Sequence, residues 1–265
     1  MNNYFKYFTI FLIAIFSFYW TNKVIELSEK NNVILASINK YADSFDYKCR
    51  EGSITEDGII LGLSGLRVDK DKSYSNMKGI GFKEELIEYK ENECILSKKN
   101  NLNKYIIRGN EYNNNISIVI DVNSGKYYNK MLKIAGQKNI ELNILMNYNS
   151  LSENLDNIEN HSNILFKGNS LKELNNFINI LHDEIFCVKT NDYEIINDCI
   201  KKKINTIKII NYIDKDLLTT TKKILDKGVI IFIKESNNNL NELSATINYI
   251  QSKGYKIVNI NELLF

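Results

Sequence analysis

Ile116-Ser-Ile-Val-Ile-Asp-Val-Asn-Ser-Gly125 reads as a buried strand that ends on an acid. β-Branched residues run unbroken from Ile118 to Ile120, which suits an extended backbone covered on both faces. Asp121, Asn123, Ser124 and Gly125 then make a polar turn, and Tyr128, Met131, Leu132 and Ala135 repeat behind it at helical spacing. A strand that stops on an acid and turns into a helix is the unit of α/β folds, whose sites gather at C-terminal strand ends.

The same alternation continues to the end of the chain. Strands are expected at 116–121, 140–146, 163–166, 184–188, 206–210, 229–233 and 255–259, with helices near 127–137, 151–159, 170–182, 192–203, 216–227 and 240–253. Ser150 with Glu153, Ser170 with Glu173 and Asn191 with Glu194 have the spacing of helix-start capping boxes. Gly228 and Gly254 stand where helices should stop. Strands alternating with helices imply a parallel sheet. The pattern alone leaves an open sheet and a closed barrel as alternatives.

Upstream, 47–104 reads as a small β-rich extension, with helical patterns in 73–78 and 82–89. Its Gly62-Leu-Ser-Gly65 is turn punctuation, since the Lys-Ser/Thr of a phosphate loop does not follow. Before it, Tyr7 to Trp20 is an apolar run flanked by Lys6 and Lys23. The run is short for a span but lengthens when Tyr4 and Phe5 are counted and Lys6 snorkels. No small-x-small cleavage site follows, so an uncleaved membrane anchor is expected, with a cleaved signal peptide as the alternative. The expected organisation is therefore an anchor at 1–22, a juxtamembrane linker at 23–46, the extension at 47–104 and an α/β domain at 105–265, the bulk lying outside the cytoplasm.

Composition excludes little else. The net charge of +2 is spread over interleaved acids and bases, with no basic stripe, so a nucleic-acid partner is not expected. The Lys201-Lys-Lys203 run is a solvated helix end. Four cysteines (Cys49, Cys94, Cys187, Cys199) lack any CxxC spacing, and in an exported chain they allow three full pairings. Cys49 and Cys94, both in the extension, are expected to be bridged, where a cross-link would compensate for a thin core.

The order of strand-end signals from Ile116 to Phe265 resembles the polysaccharide deacetylase family, the NodB-homology fold. Val119-Ile-Asp-Val-Asn123 lies where that family has T-F-D-D-G. Gly228-Val-Ile-Ile-Phe-Ile-Lys234 and, after a helix, Ile250-Gln-Ser-Lys-Gly-Tyr-Lys-Ile-Val258 and Asn261-Glu-Leu-Leu264 look like its ending, "GsIiLlH … ik.kGYkfvtl.eLl". The resemblance implies a distorted (β/α)7 barrel and a metal-dependent hydrolase of N-acetyl groups on cell-wall sugars. It implies a metal on one aspartate and two histidines, an aspartate base and a C-terminal histidine acid. A Lewis-acid metal needs about three protein ligands and an open position, and the base must reach its water.

Much of that set is replaced here. Asp121 falls on the base position, but Val122 stands on the neighbouring ligand position. His161-Ser162 begins the H-S/T-x-x-H motif, with Leu165 in place of its second histidine; in another register His161 precedes the motif strand. Cys187-Val-Lys-Thr-Asn191 replaces R-x-P-Y-G, and Lys234 replaces the catalytic histidine. In the family register Cys187 points into the barrel while Cys199 rides outside, so that pair is expected free.

The expected site is thus Asp121 as a vestigial base, with His161, Asn123, Tyr127 and Tyr128 as binding residues and Tyr112 and Tyr148 completing an aromatic rim. His182-Asp183 lacks a nucleophile elbow, and Cys187 is read as a core or paired thiol before a nucleophile. No metal or cofactor is expected. Three functions stay open: a degenerate deacetylase that binds cell-wall polysaccharide or an envelope protein, a divergent active deacetylase, and an unrelated anchored α/β interaction domain.

Overall fold

The computed structural model describes residues 2–154, 163–181, 185–190 and 195–264. In chain order, the elements begin with helix α1 (Asn2–Phe45), short strands β1 (Ser53–Ile54), β2 (Ile59–Ile60) and β3 (Gly65–Val68), helix α2 (Lys70–Met77), a 3-10 turn (Glu84–Leu86) and β4 (Tyr89–Asn92). Next come β5 (Tyr105–Arg108), β6 (Asn115–Asp121), α3 (Tyr128–Gly136), β7 (Asn143–Met146), α4 (Tyr148–Glu153), β8 (Ile164–Phe166) and α5 (Leu171–Ile180). The rest is β9 (Phe186–Lys189), α6 (Ile196–Lys201), β10 (Thr206–Lys208), β11 (Asn211–Ile213), α7 (Leu217–Ile224), β12 (Ile230–Lys234), α8 (Asn237–Ser252), β13 (Lys256–Ile257) and α9 (Ile260–Leu263).

Two compact units result, one of Met1–Lys48 with Gly65–Asn92, the other of Cys49–Ser64 with Glu93–Phe265. In the first, Ile34, Ile38 and Ala42 recur every four residues along α1 and bury one stripe against Val68, Met77 and Ile87. The antiparallel pair β3–β4 and the Asp46 carboxylate, which accepts from the Val68 N–H at 2.7 Å, hold the helix end in place. Earlier in α1, Phe5, Phe8, Phe11, Phe16 and Trp20 are exposed. The stretch expected as one extension, 47–104, is divided between the two units, and the helical pattern of 82–89 contracts to the single turn Glu84–Leu86.

The second unit carries the sheet. Its strands run β1-β2-β5-β10-β9-β8-β7-β6-β12-β11, and every neighbour from β2 onward is parallel. The sheet curls into a half-barrel. Val119, Leu145, Leu165, Phe186, Val188, Ile207 and Phe232 fill its inner face. Alternate residues, Ile118, Ile120, Ile144, Phe166, Ile231 and Ile233, pack outward on Met131, Leu174, Phe177, Leu243 and Ile247 of the helices. Both faces are covered, which is why the strands read as unbroken apolar runs. A truncation such as Phe232→Ala in this packing costs about 3–5 kcal/mol.

The seven expected strands are present, together with β5 and β11 in the same domain. β11 hid because Asn211-Tyr-Ile213 follows β10 with no helix between, against the alternation used to find the others. Ser150 does not cap α4: the Asn147 side chain does, accepting from the Ser150 N–H at 2.8 Å. Ser170 caps α5 as expected, and the Asn191–Glu194 box lies outside the described residues. Gly254 (φ 80°) closes α8, whereas Gly228 (φ 72°) sits past α7, in the turn entering β12. There a Cβ would stand 2.6 Å from the Gly109 carbonyl oxygen, so the left-handed backbone and the close approach both require glycine.

Cys49 and Cys94 are bridged, with Cα atoms 5.3 Å apart. The expectation that Cys187 and Cys199 are free is overturned: they form a second disulfide. Phe186 and Val188 point into the barrel, so Cys187 between them faces the helices, where α6 presents Cys199. A one-residue error in strand register reverses the face of every side chain, and the expectation made that error.

Candidate functional site at the C-terminal strand ends

The site is built where β6, β8, β11 and β12 end. Inward alternation from Val119 places Asp121 at the barrel mouth, while Val122 turns outward into the helix layer. Asp121 is in register with Leu145 of β7, and Leu145 with Leu165 of β8. Two residues beyond Leu165, and therefore on the same face, stands Lys167. Its ammonium donates to Asp121 Oδ1, to the Val122 carbonyl oxygen at 2.9 Å and to Asn123 Oδ1 at 3.1 Å. Tyr212 of β11, in register with the inward Phe232, donates its hydroxyl to Asp121 Oδ2 at 2.9 Å. Burial first, and the Asp121 charge next, hold the Tyr212 hydroxyl far above the usual tyrosine range, so it is a donor at any physiological pH.

One level up, Glu235 is a buried anion at the turn leading into α3. Its Oε2 accepts from the backbone N–H groups of Asn123 (3.1 Å), Ser124 (2.9 Å) and Gly125 (3.0 Å), and its Oε1 from those of Tyr127 and Tyr128. Burial alone would raise its pKa, but the converging N–H donors outweigh it and hold the carboxyl below the usual glutamate value. Five donors and a helix N-terminus fix this charge. Lys234, on the neighbouring position, pairs with Asp214 at 2.6 Å.

Two cavities open beside the Asp121–Lys167 pair. One, of about 390 Å³, is lined by Asp121, Thr190, Ile209 and Tyr212 among others. The other, of about 320 Å³, is lined by Asn147, Tyr148, Asn149, Lys167, Asn169 and Thr190 among others. Thr190 belongs to both, so they adjoin across the mouth.

This architecture has solved counterparts. The chain superposes on the wild-type CE4 family pseudoenzyme BA3943 of Bacillus anthracis with a TM-score of 0.59, at 19% identity over 88% of this chain and 95% of that one. A mutant of that pseudoenzyme with restored enzymatic activity gives 0.60 at 19% identity, over 88% and 98%. PdaA of Bacillus subtilis, a family 4 carbohydrate esterase, gives 0.51 at 13% identity, over 61% and 85%. This is the family 4 carbohydrate esterase fold. No family model matches the sequence, and no curated protein does.

The esterase fold implies a metal, and the described residues do not fit one. The oxygens of Asp121, Val122 and Asn123 already converge on an ammonium. The Val122 side chain is a methyl pair facing the helices, and Leu165 is buried in the barrel interior. A metal cation cannot take these oxygens without displacing the ammonium, because two like charges at that separation repel strongly.

Of the expected site residues, Asp121 is central. Asn123 is exposed and reaches it through Lys167. Tyr127 is half-buried, with the Lys126 ammonium 5.3 Å from its ring centre. Tyr128 is corrected: its ring is fully buried among Met131 and Ala135, and its hydroxyl donates to Asn154, so it is no rim residue. Tyr112 precedes β6, at the far end of that strand from Asp121. Tyr148 lines the smaller cavity. His161 and His182-Asp183 lie outside the described residues. Lys167, Tyr212 and Glu235 went unread. Only Glu235 carried a local signal, an acid directly between strand β12 and the Ser236 cap of α8.

Proposed function

We propose that the chain is a membrane-anchored, extracytoplasmic protein that binds cell-wall glycan through a deacetylase-like fold without hydrolysing it. One observation carries the reading: the Lys167 ammonium occupies the oxygens at the barrel mouth, and both oxygens of Asp121 are engaged. A general base must have a free lone pair for water, and a Lewis acid needs an open position. At Asp121 the ammonium lies on one oxygen and the Tyr212 hydroxyl on the other, which lowers the carboxylate's basicity toward water and leaves the oxygens a Lewis acid would use on a cation. Tyr148 and Tyr212 offer flat apolar faces, and Asn147, Asn149, Asn169 and Thr190 offer amides and hydroxyls, a combination suited to sugar rings. Among similar folds, Bc1960 is a peptidoglycan N-acetylglucosamine deacetylase (TM-score 0.52, 13% identity, 60% of this chain and 92% of that one), which supports a wall glycan as the ligand.

Anchoring rests on α1, the one helix among the described residues long and apolar enough to cross a membrane. Its exposed aromatics would be costly in water. Its later turns belong to the folded first unit, so cleavage near residue 22 would cut a continuous helix. The test is retention of the full chain, in detergent, on insoluble peptidoglycan sacculi. Retention that Tyr148→Ala weakens several-fold is expected; a chain that washes through unretained overturns the reading.

A further inference from the structure

We infer that the first unit carries a self-association surface, a groove along α1 that takes a second copy of this chain in the same membrane. The groove, of about 510 Å³, is lined by Ser37, Lys40, Tyr41 and Ser44 of α1 and by Phe82 and Glu84 at the 3-10 turn. Its floor is aromatic. The Tyr41 ring centre stands 6.3 Å from Phe82 and stacks on Phe45 at 5.7 Å, and Phe45 lies 4.8 Å from Tyr89, which is 40% exposed. Val33, 66% exposed, precedes Ser37, Lys40 and Ser44 at the 4-3-4 spacing of one helix face and so prolongs the groove along α1. A contiguous exposed face of this kind marks an interaction site.

Two observations choose the occupant. The first is a knob beside the hole. Ile80 stands 62% exposed at the tip of the loop that supplies Phe82, between Gly79 (φ 79°) and Gly81 (φ 109°). A Cβ at either glycine would meet nothing within 4 Å, so the tip is clear of the rest of the chain. The second is charge. Lys40, Asp43 and Glu84 all line the groove, and among the described residues none of them takes part in an ion pair. A surface with its own knob, its own hole and both signs of charge is complementary to itself across a twofold axis. Copies anchored by α1 stand parallel, and a groove running along α1 faces sideways, toward neighbours in the same membrane. A twofold axis along the membrane normal keeps every residue at its own height. Ile80 of each copy therefore meets the other's groove, and Lys40 meets the partner's Asp43 and Glu84. The inference rests on the proposed function for the anchoring by α1 and takes nothing from the barrel mouth.

Sedimentation equilibrium of the full-length chain in detergent tests it. Wild type should be dimeric at about 10 µM, and Ile80→Asp should associate at least about tenfold more weakly with its circular dichroism unchanged. Lys40→Glu makes the groove wholly acidic, and Asp43→Lys/Glu84→Lys makes it wholly basic. Each of these should be monomeric alone, and the two should pair when mixed, which a folding defect would not produce. A wild type still monomeric at about 100 µM overturns the proposal and gives the groove to another membrane protein or a small ligand. An Ile80→Asp chain that pairs as tightly as wild type, or charge variants that stay apart when mixed, overturns it as well. Retention on sacculi is a separate readout. A wild type that is monomeric yet retained sinks this inference alone, and one that pairs yet washes through sinks only the glycan reading.

Discussion

Lys167 and Asp121, 46 residues apart in sequence, form an ion pair at the barrel mouth with side chains only 14% and 12% exposed. The pair brings together the ends of β6 and β8, whose strands do not touch each other in the sheet. It also explains how a hydrolase-like fold keeps its packing while its chemistry is altered, since the inner core lies below it and does not depend on it.

Breaking the pair from one side should be costly. Lys167→Met leaves a buried carboxylate with only the Tyr212 hydroxyl, and the expected loss is about 3–5 kcal/mol. Adding Asp121→Asn removes the stranded charge, so the double variant should recover more than about 1 kcal/mol relative to additivity. Urea melts of the four proteins measure the coupling. Additive losses would show that the two side chains act separately.

Glu235 should give the stability a carboxylate-type pH dependence. Its pKa lies below the ordinary glutamate value of 4.5, so its contribution is complete above that pH and disappears as the pH falls through the lower native value. At neutral pH Glu235→Gln should cost about 1.5–3 kcal/mol, the worth of hydrogen bonds to a charged acceptor. The difference between wild type and variant should shrink below pH 4.5. A difference that stays constant between pH 7 and pH 3 would remove the charge from the account.

Much of this architecture was legible from local pattern. Strand and helix periods, Ser170 and Gly254 mark their elements, and Asp121 was found because an acid closing an apolar strand is conspicuous. Lys167 was not, because a lysine after Ile164-Leu-Phe166 looks like any solvated strand end. Only the lateral register of β6, β7 and β8 brings it to Asp121, and register between strands leaves no local trace. Tyr212 was lost with its three-residue strand. Tyr128 was misassigned although its signal was present: its spacing to Met131 and Ala135 already put it on the buried face of α3.

Thiol counting in denaturant without reductant should find no free cysteine, since both pairs are bridged. Closing the loop between Cys187 and Cys199, at a sequence separation of 12, is worth about 3 kcal/mol in the chain-entropy account, and closing that between Cys49 and Cys94, at a separation of 45, about 4 kcal/mol. Cys199→Ser should therefore destabilise by roughly 3 kcal/mol, before any loss of packing. Two reactive thiols in the unreduced wild type would contradict the second bridge.

The proposed anchoring by α1 makes a topological prediction. Protease added to intact cells or protoplasts should digest the chain beyond the anchor, and N-terminal sequencing of the membrane fraction should find residues before Trp20 still attached. A mature N-terminus near residue 22 would replace the anchor with a signal peptide, and full protection would place the domain inside.

The Lys167 ammonium holds the oxygens that a metal ion at the barrel mouth would need. The most direct test is the metal content of full-length wild type after saturation with zinc and dialysis, paired with acetate release from peptidoglycan and chitooligosaccharides. Less than about a tenth of an equivalent of zinc and no acetate above the blank are expected. One equivalent of zinc, with acetate release abolished by Asp121→Asn, would contradict this.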